Sequence, residues 1–218
     1  MLTKEEIIEK TAAYVKELLS GEGSGHDWWH ILRVWNNAKT IAASENTDLF
    51  IVELAALLHD IGDHKFHNGD ETIGPRMAAE WLGSLKVQNE TIDLICTIIK
   101  ELSFKGAGTT SDMSSIEGRI VQDADRLDAI GAIGIARSFA YGGHKSREMY
   151  NPTISPEMHD TFEAYKNSTA PTINHFYEKL LLLKDRMHTQ TAKRMAQQRH
   201  EYMEAYLEQF FDEWNGLK

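Results

Sequence analysis

The sequence has little cysteine, little proline, a deficit of basic residues and no long apolar run. The single cysteine, Cys96, excludes a disulfide framework and favours a reducing cytoplasmic compartment, and its apolar surroundings IDLICTIIK predict a buried thiol. There are 23 Lys and Arg against 33 Asp and Glu, and the formal net charge of −10 argues against a general nucleic-acid-binding surface. No apolar stretch reaches about 18 residues, and MLTKEEIIEK lacks the pattern of a secretory signal, so we expect no membrane partner.

With only four prolines in 218 residues, the dominant pattern is helical. Thr3 and Glu6 have the spacing of a capping box, and Asp27 is expected to cap a second helix over about 28–44. The turn formed by Asn46 to Asp48 is expected to cap a third helix, which runs to about His59. Further helices are predicted over about 71–84, 88–101 and 115–141, and about three more between Pro156 and Trp214.

No alternating strand pattern and no internal repeat stands out. The sequence therefore predicts an all-α, single-domain helical bundle over residues 1–218. Its motif-bearing core would span about 20–145, and accessory helices would occupy about 155–215.

Imidazoles and carboxylates occur near the start of one of these helices, at the end of another and within a third. His30 lies near the start of the second helix, His59 and Asp60 close the third, and Asp125 lies in a segment otherwise rich in Ile, Leu and Ala. Two imidazole nitrogens and two carboxylate oxygens suit one divalent ion of Mn²⁺, Mg²⁺, Ni²⁺, Co²⁺, Fe²⁺ or Zn²⁺. Four protein ligands in an octahedral shell leave two positions for water and substrate, as metal-assisted hydrolysis requires.

Three motifs in order, HDWWHILRVW, AALLHDIGD and VQDADRLDAIG, are similar to the signature of HD-domain phosphohydrolases. The resemblance covers about residues 20–145 and implies a helical bundle of the HD-domain type. It also implies that the catalytic metal is held by His30, His59, Asp60 and Asp125. The remainder of the chain resembles the small bacterial nucleotide-hydrolysing members.

One departure from the family pattern concerns the number of metal ions. Several members that hold two metals carry further histidines between the doublet and the distal Asp, whereas this chain has Glu101 at a corresponding place. We therefore predict one metal. A second metal, with Glu101 or His64 contributing, stays an open alternative.

Other side chains near the motifs are candidates for catalysis. Asp128, or Asp63, is predicted to accept or orient the proton of the attacking water. Arg33, one helical turn after His30, is predicted to contact the phosphate. The alternatives are a salt bridge from Asp128 to Arg126 or Arg33, and a turn or ligand-orienting role for Asp63.

Candidate substrate-binding residues lie beside the motifs and in two Gly-rich loops: Lys65, Lys105, His144, Lys145, Arg147 and Trp29. The basic members would attract an anion, and Trp29 would stack on a base. Asp123 lies well round its helix from Asp125 and is expected to be solvated or paired with Arg119 or Arg126.

Together, the residues and the resemblance predict a cytoplasmic, metal-dependent phosphohydrolase that acts on a small phosphorylated substrate. A nucleotide is the first choice, with a pyrophosphohydrolase or a phosphatase as the reaction type. The alternatives are a non-catalytic nucleotide- or metal-binding signalling module and a di-iron oxygenase. A homodimer formed through the C-terminal helices also stays open.

Overall fold

The computed structural model describes residues 2–20, 27–62, 70, 72–102, 113–158 and 169–218. Within these ranges the regular elements are helices, and no strand is present. The all-α prediction is therefore confirmed, and none of the described helices is long and apolar enough to cross a membrane. The helices are α1 (Lys4–Leu18), α2 (Trp28–Ala42), α3 (Leu49–Leu58), α4 (Ile73–Ser84), α5 (Asn89–Leu102), α6 (Ile116–Asp128), α7 (Gly131–His144), α8 (Asn174–Glu178), a 3-10 helix (Leu180–Arg186) and α9 (Gln190–Trp214).

Several helices begin at the caps that the sequence predicts. Thr3 and Glu6 form a reciprocal capping box at the start of α1. The Asp27 carboxylate accepts a hydrogen bond from the His30 amide at 2.9 Å and starts α2, and Asp48 starts α3 in the same way. These side chains satisfy amide groups that have no partner in the first turn of a helix.

The described residues fall into two compact units, one extending to Asp125 and one beginning at Arg126. The prediction of one domain over the whole chain stays a prediction. In the first unit, α3 contacts α1, α2 and α5. Its residues from Leu54 to Leu58 are fully buried, so this apolar helix supplies much of the core of the unit.

Two sequence-based expectations in the first unit are corrected. Cys96 is half-buried rather than buried, and its thiol donates to the Pro75 carbonyl. Asp123 is fully buried, which excludes the solvated alternative. All five residues from Ile120 to Ala124 are buried. In this part of α6, a residue that lies away from the apolar stripe is therefore also shielded from solvent.

The prediction of one long helix over 115–141 is wrong. The chain breaks after α6 and restarts at Gly131, which has a φ of +73°, a conformation that glycine adopts without a steric penalty. A Cβ atom at Gly134 would lie 2.2 Å from the Ala129 carbonyl oxygen. Gly131 and Gly134 therefore permit a tight junction between two helices.

In the second unit, α7 contacts α9, and the 3-10 helix contacts both α8 and α9. Aromatic side chains fill much of this unit: Phe139, Tyr150, Phe176, Tyr206, Phe210, Phe211 and Trp214 form a connected set of ring contacts. The predicted helical C-terminal third is present in the described residues, and its last helix ends at Trp214 as predicted.

Gly134→Ala should destabilise the protein, because the added methyl group would collide with backbone rather than with a movable side chain. We expect a loss of about 1–3 kcal/mol in the free energy of unfolding. The matched control is Gly143→Ala on the same helix, where a Cβ atom would meet nothing within 4 Å. That variant should be neutral or more stable by up to about 1 kcal/mol. Urea unfolding of both variants checks this, and equal stability would contradict the described junction.

His175 should make the protein less stable in mild acid. Burial, with the positive charges of Lys179 and Arg147, lowers the pKa of His175 from 6.5 to about 3. The unfolded chain therefore takes up a proton near pH 6.5 that the folded chain does not accept until about pH 3. The stabilising contribution is complete above pH 6.5 and is lost as the pH falls toward 3, by at most about 1.4 kcal/mol per pH unit.

Urea unfolding at pH 7 and pH 5 checks this expectation. His175→Gln should lose less stability between the two values than the wild type does, while carboxylate titration affects both proteins alike. His144→Gln, a change at an exposed histidine of the same unit, is the control. Equal losses in the wild type and His175→Gln would show that His175 is not the source.

Candidate metal centre

Three helices of the first unit bring the predicted metal ligands together. His30 lies in the first turn of α2, directly after its cap. His59 and Asp60 follow the last residue of α3, and Asp125 lies in the last turn of α6. Each therefore stands at or near a helix end, where its position is set by capping and by the packing of the adjoining apolar turn.

Carboxylate oxygens lie close to the Nε2 atoms of both imidazoles. Asp60 Oδ2 is 3.4 Å from His30 Nε2 and 3.5 Å from His59 Nε2. Asp125 Oδ1 is 3.5 Å from His30 Nε2. Ligand atoms that are each about 2.1 Å from one ion lie roughly 3.0–3.5 Å from their neighbours, so these separations match the edges of a coordination shell. His30, His59 and Asp60 form a group that could hold a metal ion.

The orientation of the His59 ring makes Nε2 an electron-pair donor. Nδ1 lies 2.8 Å from the Ala56 carbonyl oxygen, which can only accept, so Nδ1 carries the proton and a neutral ring has its lone pair on Nε2. Nε2 is buried, and it has no hydrogen-bond partner among the described residues. A buried lone pair beside a carboxylate oxygen is unfavourable unless a cation or a proton lies between them. The donor set therefore fits a divalent ion.

Exposure increases across the group from the imidazoles to the carboxylates. The side chains of His30 and His59 are 1% and 4% exposed, whereas those of Asp60 and Asp125 are 19% and 44% exposed. The two nitrogens are thus held inside the unit and the oxygens of Asp125 reach solvent. An ion bound here would be coordinated by buried nitrogens on one side and accessible to solvent on the other, as a catalytic metal site requires.

The turn after Asp60 is positioned by a close approach of two backbone segments. A Cβ atom on Gly62 would lie 2.6 Å from the Gly74 nitrogen at the start of α4. Only a glycine at position 62 lets the two segments meet at this distance. The start of α4 therefore restrains the chain directly after the His-Asp doublet.

Three of the other predicted residues in the first unit lie in described parts of the chain. Arg33 is half-buried on α2, one turn after His30, and the Trp29 side chain is 59% exposed. Glu101, the alternative ligand for a second metal, accepts hydrogen bonds from the amide and the hydroxyl of Ser114, both at 3.0 Å. Asp63, His64, Lys65 and Lys105 lie outside the described residues.

In the second unit, partners within the unit are present for Asp128, Lys145 and Arg147. The Asp128 carboxylate is 2.6 Å from Arg137 Nη1, so the salt bridge considered as an alternative exists with a partner that was not considered. Lys145 and Arg147, just beyond the end of α7, both lie over the Tyr141 ring. His144 is exposed at the end of α7.

Sequence reasoning missed two supporting contacts in the first unit. The Ala56 carbonyl, which orients His59, carries no side-chain signal. Asn37 donates from α2 to the Ala124 carbonyl at 3.3 Å, one peptide before Asp125. Its spacing of seven residues from His30 places it on the same helical face, which is the one signal that could have identified it.

Comparison with known proteins extends the likeness over nearly the whole chain. The HD-domain profile matches residues 28–130, which include all four predicted ligands. YpgQ of Bacillus subtilis is 39% identical over 210 residues, covering 96% of this chain and 94% of that protein.

Solved structures agree with this likeness. An HD-superfamily hydrolase from Bacillus thuringiensis is 48% identical with a TM-score of 0.79, over 98% of this chain and 99% of that one. YpgQ, solved in complex with ADP, is 36% identical with a TM-score of 0.78, over 97% of each chain. The helical fold, the profile match and these nearly full-length relatives agree: the chain belongs to the HD-domain family.

Proposed function

We propose that this chain is a metal-dependent phosphohydrolase whose substrate is a nucleotide. The observation that carries the proposal is the meeting of two buried imidazoles with the carboxylates of Asp60 and Asp125. The buried lone pair of His59 supports a cation at this place, because the ring already donates its proton to Ala56.

One divalent ion would be held by His30, His59, Asp60 and Asp125. Such an ion supplies Lewis-acid polarisation of a phosphoryl oxygen and lowers the pKa of a bound water. The protein contributes fixed donor atoms, because His59 is oriented by a backbone carbonyl and His30 is held at a capped helix start. Preorganised donors of this kind limit the rearrangement needed when a ligand binds.

A nucleotide is the substrate that the candidate binding residues favour. Arg33 would face a phosphate one turn from His30, and the exposed Trp29 ring offers a stacking surface for a base. Lys65, Lys105, His144, Lys145 and Arg147 remain candidates for further phosphate contacts. The ADP complex of the relative YpgQ supports a nucleotide as ligand.

The proposal also concerns which residue accepts the proton of the attacking water and which phosphate bond is cleaved. Asp63 and Asp128 are the predicted acceptors of the water proton, although Asp128 already accepts from Arg137. Cleavage between the α- and β-phosphates would release pyrophosphate from a triphosphate, and phosphatase action would release inorganic phosphate. The single cysteine favours a cytoplasmic setting for either reaction.

Asp60→Asn should weaken metal binding while preserving the fold. The substitution keeps the shape of the side chain and removes the anionic oxygen that lies near both imidazoles. We expect the Mn²⁺ dissociation constant to rise by at least about 10–100-fold, the loss seen when residues that merely support metal ligands are changed. Calorimetric titration of the metal-free protein with Mn²⁺ measures this.

Asp93→Asn, a change at an exposed carboxylate of α5 in the same unit, is the matched control and should bind Mn²⁺ as the wild type does. Circular dichroism should show the same helical content in all three proteins. An unchanged Mn²⁺ affinity in Asp60→Asn would exclude the assigned centre.

The reaction itself is tested with purified protein and a panel of nucleoside mono-, di- and triphosphates. Incubations with Mn²⁺, with Mg²⁺ and with a chelator are followed by separate assays for phosphate and pyrophosphate. We expect product release that depends on the metal, and the product identifies the bond that is cleaved. Metal binding without release from any phosphate ester would refute hydrolysis and favour the signalling module.

A further inference from the structure

The last turn of α6, which begins at Asp125, is held at its end by two arginines. Arg137 of α7 donates from Nη1 to the Asp128 carboxylate at 2.6 Å and to the Asp128 carbonyl at 3.3 Å. Arg199 of α9 donates to the Leu127 carbonyl. Both cations therefore bind carbonyl oxygens of the last helical turn, where the Leu127 carbonyl also accepts from the Ile130 amide at 3.3 Å.

These contacts suit the chemistry of a helix C-terminus. The exposed carbonyls there carry partial negative charge, so positively charged side chains stabilise the last turn. Asp128 itself is only 1% exposed, and a carboxylate at such a depth requires a charged or hydrogen-bonding partner. The stem of Arg199 lies directly against Gly131, where a Cβ atom would be 2.9 Å from its Cγ atom.

Asp125 is the candidate ligand that most needs such support. Its side chain is 44% exposed, far more than those of the other three candidates. Since nearly half of this side chain is in solvent, its position depends on the helix that carries it. A backbone turn fixed by two guanidinium groups would limit how far that carboxylate can move.

We propose that Asp128, Arg137 and Arg199 are positioning residues that fix the end of α6 and thereby hold Asp125 in the metal centre. This inference rests on the proposed function, and it replaces the predicted role of Asp128 as proton acceptor. A carboxylate that accepts a short charge-assisted hydrogen bond from an arginine is poorly suited to take a proton from water.

Arg137→Gln should raise the Mn²⁺ dissociation constant by about 10-fold or more, because supporting residues typically contribute 10–100-fold to metal affinity. Arg199→Gln should act in the same direction. Arg194→Gln is the matched control, because Arg194 is an exposed arginine on the same helix as Arg199. Arg137→Lys should recover part of the affinity, since it keeps the charge and loses the second contact.

Asp128→Asn separates positioning from proton transfer. A positioning role predicts weaker Mn²⁺ binding, with turnover largely restored at saturating Mn²⁺. A proton acceptor would instead lose kcat at saturating Mn²⁺ with unchanged metal affinity, and that result would overturn the inference. If Arg137→Gln does not fold, the Mn²⁺ dissociation constant is measured instead for Arg199→Gln and for the double variant Asp128→Asn/Arg137→Gln. The double variant removes both charges of the ion pair.

Failure of this inference differs from failure of the proposed function. A wild type that neither binds Mn²⁺ nor hydrolyses any nucleotide would refute the proposed function. A wild type that binds and turns over, with folded Arg137→Gln and Arg199→Gln variants that bind Mn²⁺ equally well, would refute the positioning role alone.

Discussion

The candidate site depends on one constraint: two buried imidazoles lie beside carboxylates in a setting that disfavours unpaired polar atoms. His59 donates its Nδ1 proton to the Ala56 carbonyl, so its buried Nε2 lone pair stands near Asp60. Inside a protein this arrangement is unfavourable by itself and becomes favourable when a cation joins the group. The stabilisation that keeps these side chains in place must therefore come from elsewhere in the fold.

Helix α3 supplies that stabilisation in the first unit. Its residues from Leu54 to Leu58 are fully buried, and the helix stops where the polar doublet begins. The close approach of Gly62 to Gly74 restrains the chain on the other side of the doublet. Burial thus holds the nitrogens in place, while Asp125 remains open to solvent. A hydrolytic centre needs this arrangement, with donor atoms fixed in the interior and one side open to water and substrate.

Helix starts were predictable because the groups that interact there lie within one helical turn of each other. Thr3, Asp27 and Asp48 cap the helices that they were expected to cap, because a capping side chain bonds to amides two or three residues away. The junction after α6 was not predictable in this way. Its residues are compatible with a continuous helix, and the break depends on the left-handed backbone at Gly131 and on contacts with distant Arg199.

The sequence by itself determined which donor atoms are available, that the chain is helical, and which family its motifs resemble. Only the tertiary structure decided which donors meet, which nitrogen of His59 keeps a lone pair, that Asp123 is buried, and that Asp128 pairs with Arg137. The reason is the range of the forces involved. Helix propensity and capping act between neighbours in the chain, whereas burial and ion pairing join residues that the packing of separate helices brings together.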